Sequence, residues 1–228
     1  MLVKEIFKRF YNIQNDKKIV VIPHGNYIGY YKNSISKWEA RKELNIDQHS
    51  MIFLNFGIIR KYKGIVQLID TFKSMKYSQF KLLIVGKPYT DRLKEEVLKC
   101  TQNDINIKTY LYFIPDDKVQ IFFNASDVVV LPYENSLTSG AAILAMSFKK
   151  AVIASASGFL KEIMDPKVNF LYEQKSAAGL EVMMNKAYEM HNQLEMFGEK
   201  NYQAVLQFDW KMIALETTKI YQLSLRKI

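Results

Sequence analysis

A single cysteine, Cys100, stands among the 228 residues, so no disulfide can form within the chain. This suits a reducing compartment and excludes the small disulfide-stapled secreted folds. Histidine is scarce too, at three residues, and no His and Cys fall at metal-ligand spacing. No metal or cofactor is expected. No apolar run approaches the roughly eighteen residues that carry a helix across a bilayer. Lys4, Glu5, Lys8 and Arg9 interrupt the opening apolar positions, so a cleavable leader is not expected either. No Gly/Ser linker, low-complexity tract or internal repeat divides the chain. Acidic residues are the minority, 23 against 32 basic, which leaves a formal charge of +9. A basic balance suits phosphate-bearing ligands, anionic lipid or nucleic acid. Zinc-finger spacing, RNA-recognition signatures and basic tails are missing, so nucleic acid is not an expected partner.

What the chain does have is a regular alternation of strand and helix, which predicts a doubly wound α/β fold with a mostly parallel, Rossmann-like sheet. The central stretch runs from Asp127 to Glu162. Val128–Leu131 is a β-branched run suited to a strand buried on both faces, and Pro132 ends it. A polar turn, Tyr133 to Thr138, leads to a helix of small residues from Ser139, and Ala151–Ala154 resumes a strand. Ser139 and Thr138 at the helix start admit two readings. One is an N-cap; the other is a phosphate seat on the free N–H groups and positive dipole end of the helix.

Upstream, Met51–Phe56 is the first core strand, and Gly57 lets the chain turn at its carboxyl end. Arg60 and Lys63 follow on that loop, where ligands of open α/β sheets bind. A guanidinium offers a fork of donors and an ammonium a mobile point charge, and Lys61 reads as solvated. Lys81–Val85 is a second strand, ended by Gly86. Asp116 reads as the cap of a helix over 117–124. Ser36 and Glu39 form a capping box. Two helices are expected late in the chain, over 176–196 and 198–207, and a last one over 210–223. At the start, Leu2, Val3, Ile6, Phe7 and Phe10 recur at helical spacing between basic residues. That stripe either lies on a membrane surface or packs on a protein domain.

Three blocks carry a resemblance. They are Val21-Ile22-Pro23-His24-Gly25-Asn26-Tyr27, Phe56–Gly64 with Arg60 and Lys63, and the central Pro132-Tyr133…Thr138-Ser139-Gly140…Leu144-Ala145-Met146 run with Glu162. Together they resemble the C-terminal, donor-binding domain of GT-B fold glycosyltransferases of family 4 (group 1). The resemblance implies a retaining, metal-independent transfer from a nucleoside-diphosphate sugar, in surface or capsular polysaccharide synthesis. It implies that Arg60 and Lys63 stabilise the departing diphosphate. Gly57, Gly86, Glu134, Ser136, Thr138, Ser139 and Gly140 would then hold the donor. The absence of an Asp-x-Asp motif agrees with the lack of a metal.

Two departures stand out. Many relatives carry two glutamates where this chain has Ser136 and Leu144; Glu134 lies two residues upstream of the first. The second departure is length, since no acceptor domain precedes the donor unit. The expected layout is a single donor-binding domain over 1–228: a leading helix over 1–18, a Rossmann-like core over 19–206 and a C-terminal helix over 207–228. Expected partners are the nucleotide-sugar donor and an acceptor-domain subunit or a second copy, with peripheral membrane contact. The expected location is the cytoplasm, with the inner membrane surface as a peripheral site. An alternative function is a nucleotide-sugar binding or assembly module without turnover. A sugar-nucleotide epimerase ranks last, because few acid/base side chains are on offer.

Overall fold

The computed structural model describes residues 2–15, 19–75, 77–134, 139–156, 160–173 and 178–225. Its helices are α1 (Leu2–Tyr11), α2 (Lys37–Glu43), α3 (Ile65–Ser74), α4 (Asp91–Thr101), α5 (Asp116–Ala125), α6 (Gly140–Ser147), α7 (Leu160–Ile163), α8 (Gly179–Glu189), α9 (Leu194–Val205) and α10 (Trp210–Leu225). Its strands are β1 (Met51–Phe56), β2 (Phe80–Val85), β3 (Ile107–Tyr110), β4 (Val128–Leu131), β5 (Ala151–Ser155) and β6 (Phe170–Tyr172). They pair in the order β3-β2-β1-β4-β5-β6, every pair parallel.

Side chains alternate across a strand, and that alternation builds two core layers. Ile52, Leu54, Leu83, Val129, Leu131 and Val152 face α2, α5 and α6. Phe53, Leu82, Ile84, Val128, Val130 and Ile153 face α3, α4 and α8. With apolar cover on both faces, the strands read as continuous apolar runs and not as alternating ones.

The order reverses direction between β1 and β4. There the ladder is short, pairing Phe53 with Val128 and Leu54 with Val129. Beyond it the buried Asn55 amide donates to the Val130 carbonyl at 2.8 Å. At the amino end of the same pair, Asp127 accepts from the Ile52 N–H at 2.6 Å and from the buried Arg41 at 2.8 Å, and also from Lys37. Arg41 further donates to the carbonyls of Ala125 and Gln48, which fastens α2 to the sheet.

The capping box of Ser36 and Glu39 forms as its spacing predicts. Asp116 is the first residue of α5 and makes no cap bond, with Pro115 before it. The expected break before Gly198 is absent. α8 instead ends at Glu189, a short 3-10 turn spans His191–Gln193, and α9 runs through Gly198. Gly198 is a packing glycine, because a methyl group there would overlap the Lys149 carbonyl oxygen. The alanine variant tests this. In an open helix Gly to Ala stabilises by about 1 kcal/mol, whereas overpacking costs about 1–3 kcal/mol. Gly198→Ala should therefore lower the urea midpoint, and a raised midpoint would show that α9 does not dock this closely.

Candidate functional site

The carboxyl ends of β1 and β2 turn on two glycines in contact. Gly57 has φ +117 and Gly86 has φ +138, a region that side chains rarely enter. A methyl group on Gly86 would overlap the Gly57 carbonyl oxygen. The Gly57 N–H reaches the Val85 carbonyl at 2.9 Å, and the Gly86 N–H reaches that of Tyr110 at 2.9 Å. A further step out, the Ile59 N–H donates to the Lys87 carbonyl and the Tyr89 N–H to that of Ile59, both at 3.0 Å.

Arg60 follows, exposed, with its guanidinium 4.6 Å from the centre of the Tyr89 ring. A 3-10 turn over Lys61–Lys63 then leads through Gly64 (φ +66) into α3. The turn sends Lys61 outward and Lys63 inward. The Lys63 ammonium lies 5.4 Å from the centre of the Tyr133 ring, and a methyl group on Gly57 would touch it at 3.4 Å. Among the described residues no carboxylate lies within ion-pair distance of Arg60 or Lys63. Burial first, and the neighbouring Arg60 second, push the Lys63 ammonium down to about 8. Two uncompensated cations thus share one loop at the sheet's reversal point, where open α/β sheets take their ligands.

The opposite wall is the exit of β4. Tyr133 is buried, and its carbonyl accepts from the Ser155 hydroxyl at 2.6 Å. Burial pushes that phenol up, out of the neutral range. Glu134 is exposed, and its N–H donates to the Tyr62 carbonyl at 2.9 Å. Ser139 is the N-cap of α6, and its hydroxyl accepts from the Ala142 N–H at 3.1 Å. The capping reading of Ser139 is therefore realised. It leaves the N–H groups of Gly140 and Ala141 without acceptors within the helix, so the anion-seat reading stands beside it. Leu144 is buried within α6. Ser136 and Thr138 lie outside the described residues.

Gly86, Gly57 and Lys63 are thus in contact in turn, Lys63 lies against Tyr133, and Arg60, Glu134, Ser139 and Gly140 stand on the same loops at the carboxyl end of the sheet. One neighbour carried little signal in the sequence. The His24 Nδ1 bonds the Gly25 carbonyl at 2.7 Å. A methyl group on Gly140 would lie 3.6 Å from His24 Nε2 and 3.1 Å from the Tyr27 hydroxyl. Trp210 packs on Gly25 and donates its indole N–H to the Asn26 carbonyl at 2.8 Å. The Pro23-His24-Gly25 turn is legible in sequence, but its pairing with Trp210, far along the chain, is not.

An open parallel sheet with a basic loop and a helix N-terminus at its reversal point defines the class of doubly wound, Rossmann-like α/β units. The family model described as "Glycosyl transferases group 1" matches residues 36–204, and the chain belongs to that family. A GDP-mannose:glycolipid 4-beta-D-mannosyltransferase from Xanthomonas campestris pv. campestris is 33% identical over 155 residues, covering 67% of this chain and 43% of the relative. A lipopolysaccharide 1,2-N-acetylglucosaminetransferase from Salmonella typhimurium (strain LT2) is 28% identical over 170 residues, covering 70% and 44%. The chain thus spans less than half the length of these curated relatives. HepE from Anabaena, solved in complex with UDP and glucose, has the same fold, with a TM-score of 0.81 at 20% identity over 96% of this chain and 60% of that one.

The Lys63 ammonium gives a direct test of the geometry. Its value in the folded chain lies below the ordinary 10.5, so charging it opposes folding at neutral pH. That cost is relieved as pH rises from about 8 to 10.5. Removing the neighbouring cation favours the charged form. In Arg60→Ala, lysine-resolved NMR should show Lys63 titrating higher than in the parent chain while still below 10.5. An unmoved titration would separate the two side chains.

Proposed function

We propose that residues 1–228 form the donor-binding half of a retaining glycosyltransferase that uses a nucleoside-diphosphate sugar in surface polysaccharide, capsular or glycolipid synthesis. The observation that carries this is the pair of cations on the loop after β1, Arg60 and Lys63, without carboxylate partners among the described residues and with Lys63 against Tyr133 at the exit of β4. In the transfer, the bond from the anomeric carbon to the diphosphate breaks, and its electron pair leaves on a phosphate oxygen. Charge grows there in the transition state, where fixed donors act most. Lys63, Arg60 and the Gly140 and Ala141 N–H groups would receive that oxygen and its neighbours. Gly57 and Gly86 let backbone and ligand approach closely, and Glu134 at the rim takes a sugar hydroxyl. Thr138 and Ser136 would join this set.

The acceptor-binding half would meet the exposed apolar faces of α1 and α10. Phe10 is 80% exposed on the first and Leu225 72% on the second. Surfaces of that kind call for a partner, which can be an acceptor domain or a second copy. The basic stripe of α1 would add peripheral membrane contact at the cytoplasmic face. No helix among the described residues is long and apolar enough to cross a membrane. A second stereochemical reading, inversion, has one observation in its favour: the Xanthomonas relative is named for 4-beta-D-mannosyl transfer.

Calorimetry with UDP and GDP tests the site. Lys63→Ala and Arg60→Ala should each weaken binding on the order of tenfold to a hundredfold, since a hydrogen bond to a charged group contributes about 1.5–3 kcal/mol. Lys61→Ala should change little. Parent affinity should be highest below pH 8 and fall as pH rises past that value, because the charged Lys63 is lost. Equal losses at Lys61 and Lys63 would sink the assignment.

Turnover is a separate question. Near-attack orientation of both substrates is worth about 7–11 kcal/mol of barrier. The 228-residue chain should therefore bind donor yet transfer sugar only when an acceptor-binding partner is added. Robust transfer by this chain alone would overturn that. The anomeric configuration of the product, read by NMR, decides between retention and inversion.

A further inference from the structure

A second concavity lies away from the donor crevice. It lies at the opposite end of the sheet, at the amino ends of β1, β4 and β5, and encloses about 990 Å³. Its walls are α2 with the following loop on one side, and the 3-10 turn with the start of α9 on the other. Lys37, Arg41 and Lys150 stand around Asp127 in it, and Glu195 also acts on Lys150. Asp127 is shared by Lys37 and Arg41. Lys150, the third, makes one hydrogen bond, to the Ser126 carbonyl at 2.9 Å. Among the described residues no carboxylate comes within ion-pair distance of it. Lys150 is half-buried and lines the cleft, and burial pushes its ammonium down to about 8. Two imidazoles, His49 and His191, stand exposed at the mouth. Of the acids, Glu199 is taken by Lys149 at 2.9 Å and Glu195 is exposed at the rim.

The backbone that presents Lys150 is strained. Lys149 ends α6 with φ +55, its N–H on the Met146 carbonyl and that of Lys150 on the Ala145 carbonyl, both at 3.0 Å. Glycine is the usual residue in such a helix terminus, and here a lysine holds it. Gly198 packs against the Lys149 carbonyl, and Asn201 donates to that of Lys150 at 2.9 Å. Strain held in place from both sides is a mark of functional positions.

We propose that this cleft is a second anion site, built for a small phosphate-bearing molecule whose phosphate rests on the Lys150 ammonium between Lys37 and the two imidazoles. With Lys149 paired to Glu199, the cations Lys37, Arg41 and Lys150 outnumber the acids Asp127 and Glu195 by one, which favours an anion in the cleft. A volume of about 990 Å³ admits a ligand larger than the bare ion. The site is separate from the donor crevice, which lies at the other end of the same strands.

The chain's three histidines report on the two ends independently, with His24 beside the crevice and His49 and His191 in the cleft. The experiment is an imidazole NMR titration of Lys63→Ala with inorganic phosphate at a fixed pH below 8, where Lys150 is charged. His49 and His191 should shift saturably, and His24 should stay unmoved. Lys150→Met in the same background should abolish the shift, and Lys150→Arg should keep it. Methionine replaces the ammonium with a flexible apolar chain of similar length. The exposed His191→Gln gives a second arm, in which affinity read at His49 should fall about threefold to tenfold. Failure of His49 and His191 to shift, or an equal shift in Lys150→Met, overturns the site. Loss of UDP binding bears only on the donor crevice, so the two results are distinguishable.

Discussion

Gly64 has no room for a side chain, because a methyl group there would overlap the Pro132 carbonyl oxygen. That one approach of backbone to backbone ties the loop after β1 to the exit of β4, and the crevice depends on it. The left-handed φ of +66 closes the 3-10 turn and starts α3 in the same step. With the turn closed there, Lys63 has one way to point, inward beneath Tyr133. The Tyr62 carbonyl, taking the Glu134 N–H, repeats the tie two residues away. On the other flank, Gly86 against Gly57 sets the depth of the neighbouring loop. Three glycines therefore do by absence what side chains do elsewhere: they let loops from β1, β2 and β4 converge.

The two ends of the β1/β4 pair solve opposite problems. At the amino end a carboxylate, Asp127, answers Lys37 and Arg41 and also takes the Ile52 N–H. Breaking such a buried pair costs about 3–5 kcal/mol, so this end acts as a clamp between α2 and the sheet. At the carboxyl end Arg60 and Lys63 stand together with no carboxylate beside them among the described residues. Burial of Lys63, and second the like charge of the exposed Arg60, oppose its charged form and so oppose folding at neutral pH. An anion between the two cations removes the penalty, and stability lost in the free state returns as affinity.

The strands and the two turn glycines were legible because their signals are local. Runs such as Val128–Leu131 have one home in a doubly covered sheet, and Gly57 and Gly86 fall where such strands end. Arg60 and Lys63 were legible for the same reason, by position on a loop at a strand's carboxyl end. Gly198 was misread because the sequence cannot distinguish a glycine that breaks a helix from one that lets it dock. Its reason is the Lys149 carbonyl, about fifty residues earlier in the chain. His24 is a similar case, since its neighbours Gly140 and Trp210 are brought to it by the fold alone. The cleft around Lys150 had no sequence signal either, as it joins α2, β5 and α9, elements that are separate along the chain.

Leu144 marks where donor recognition in this chain departs from the pattern it resembles. The resemblance places a glutamate there, holding ribose hydroxyls. Here the residue is 6% exposed on a helix whose residues from Ala142 to Ser147 are all buried. A carboxylate in that setting needs a partner to hold its charge, and a bound ribose supplies one only while the donor is present. Leucine avoids that cost in the free protein and gives up the contact. On the proposed reading, recognition rests on the diphosphate end, through Lys63, Arg60 and the first N–H groups of α6, together with backbone groups on the Gly57 and Gly86 loops. Backbone and phosphate contacts read charge and shape more than the identity of the sugar or base. Selectivity then has to come from side chains at the rim, among them Glu134, His24 and Tyr89, or from the half that binds the acceptor.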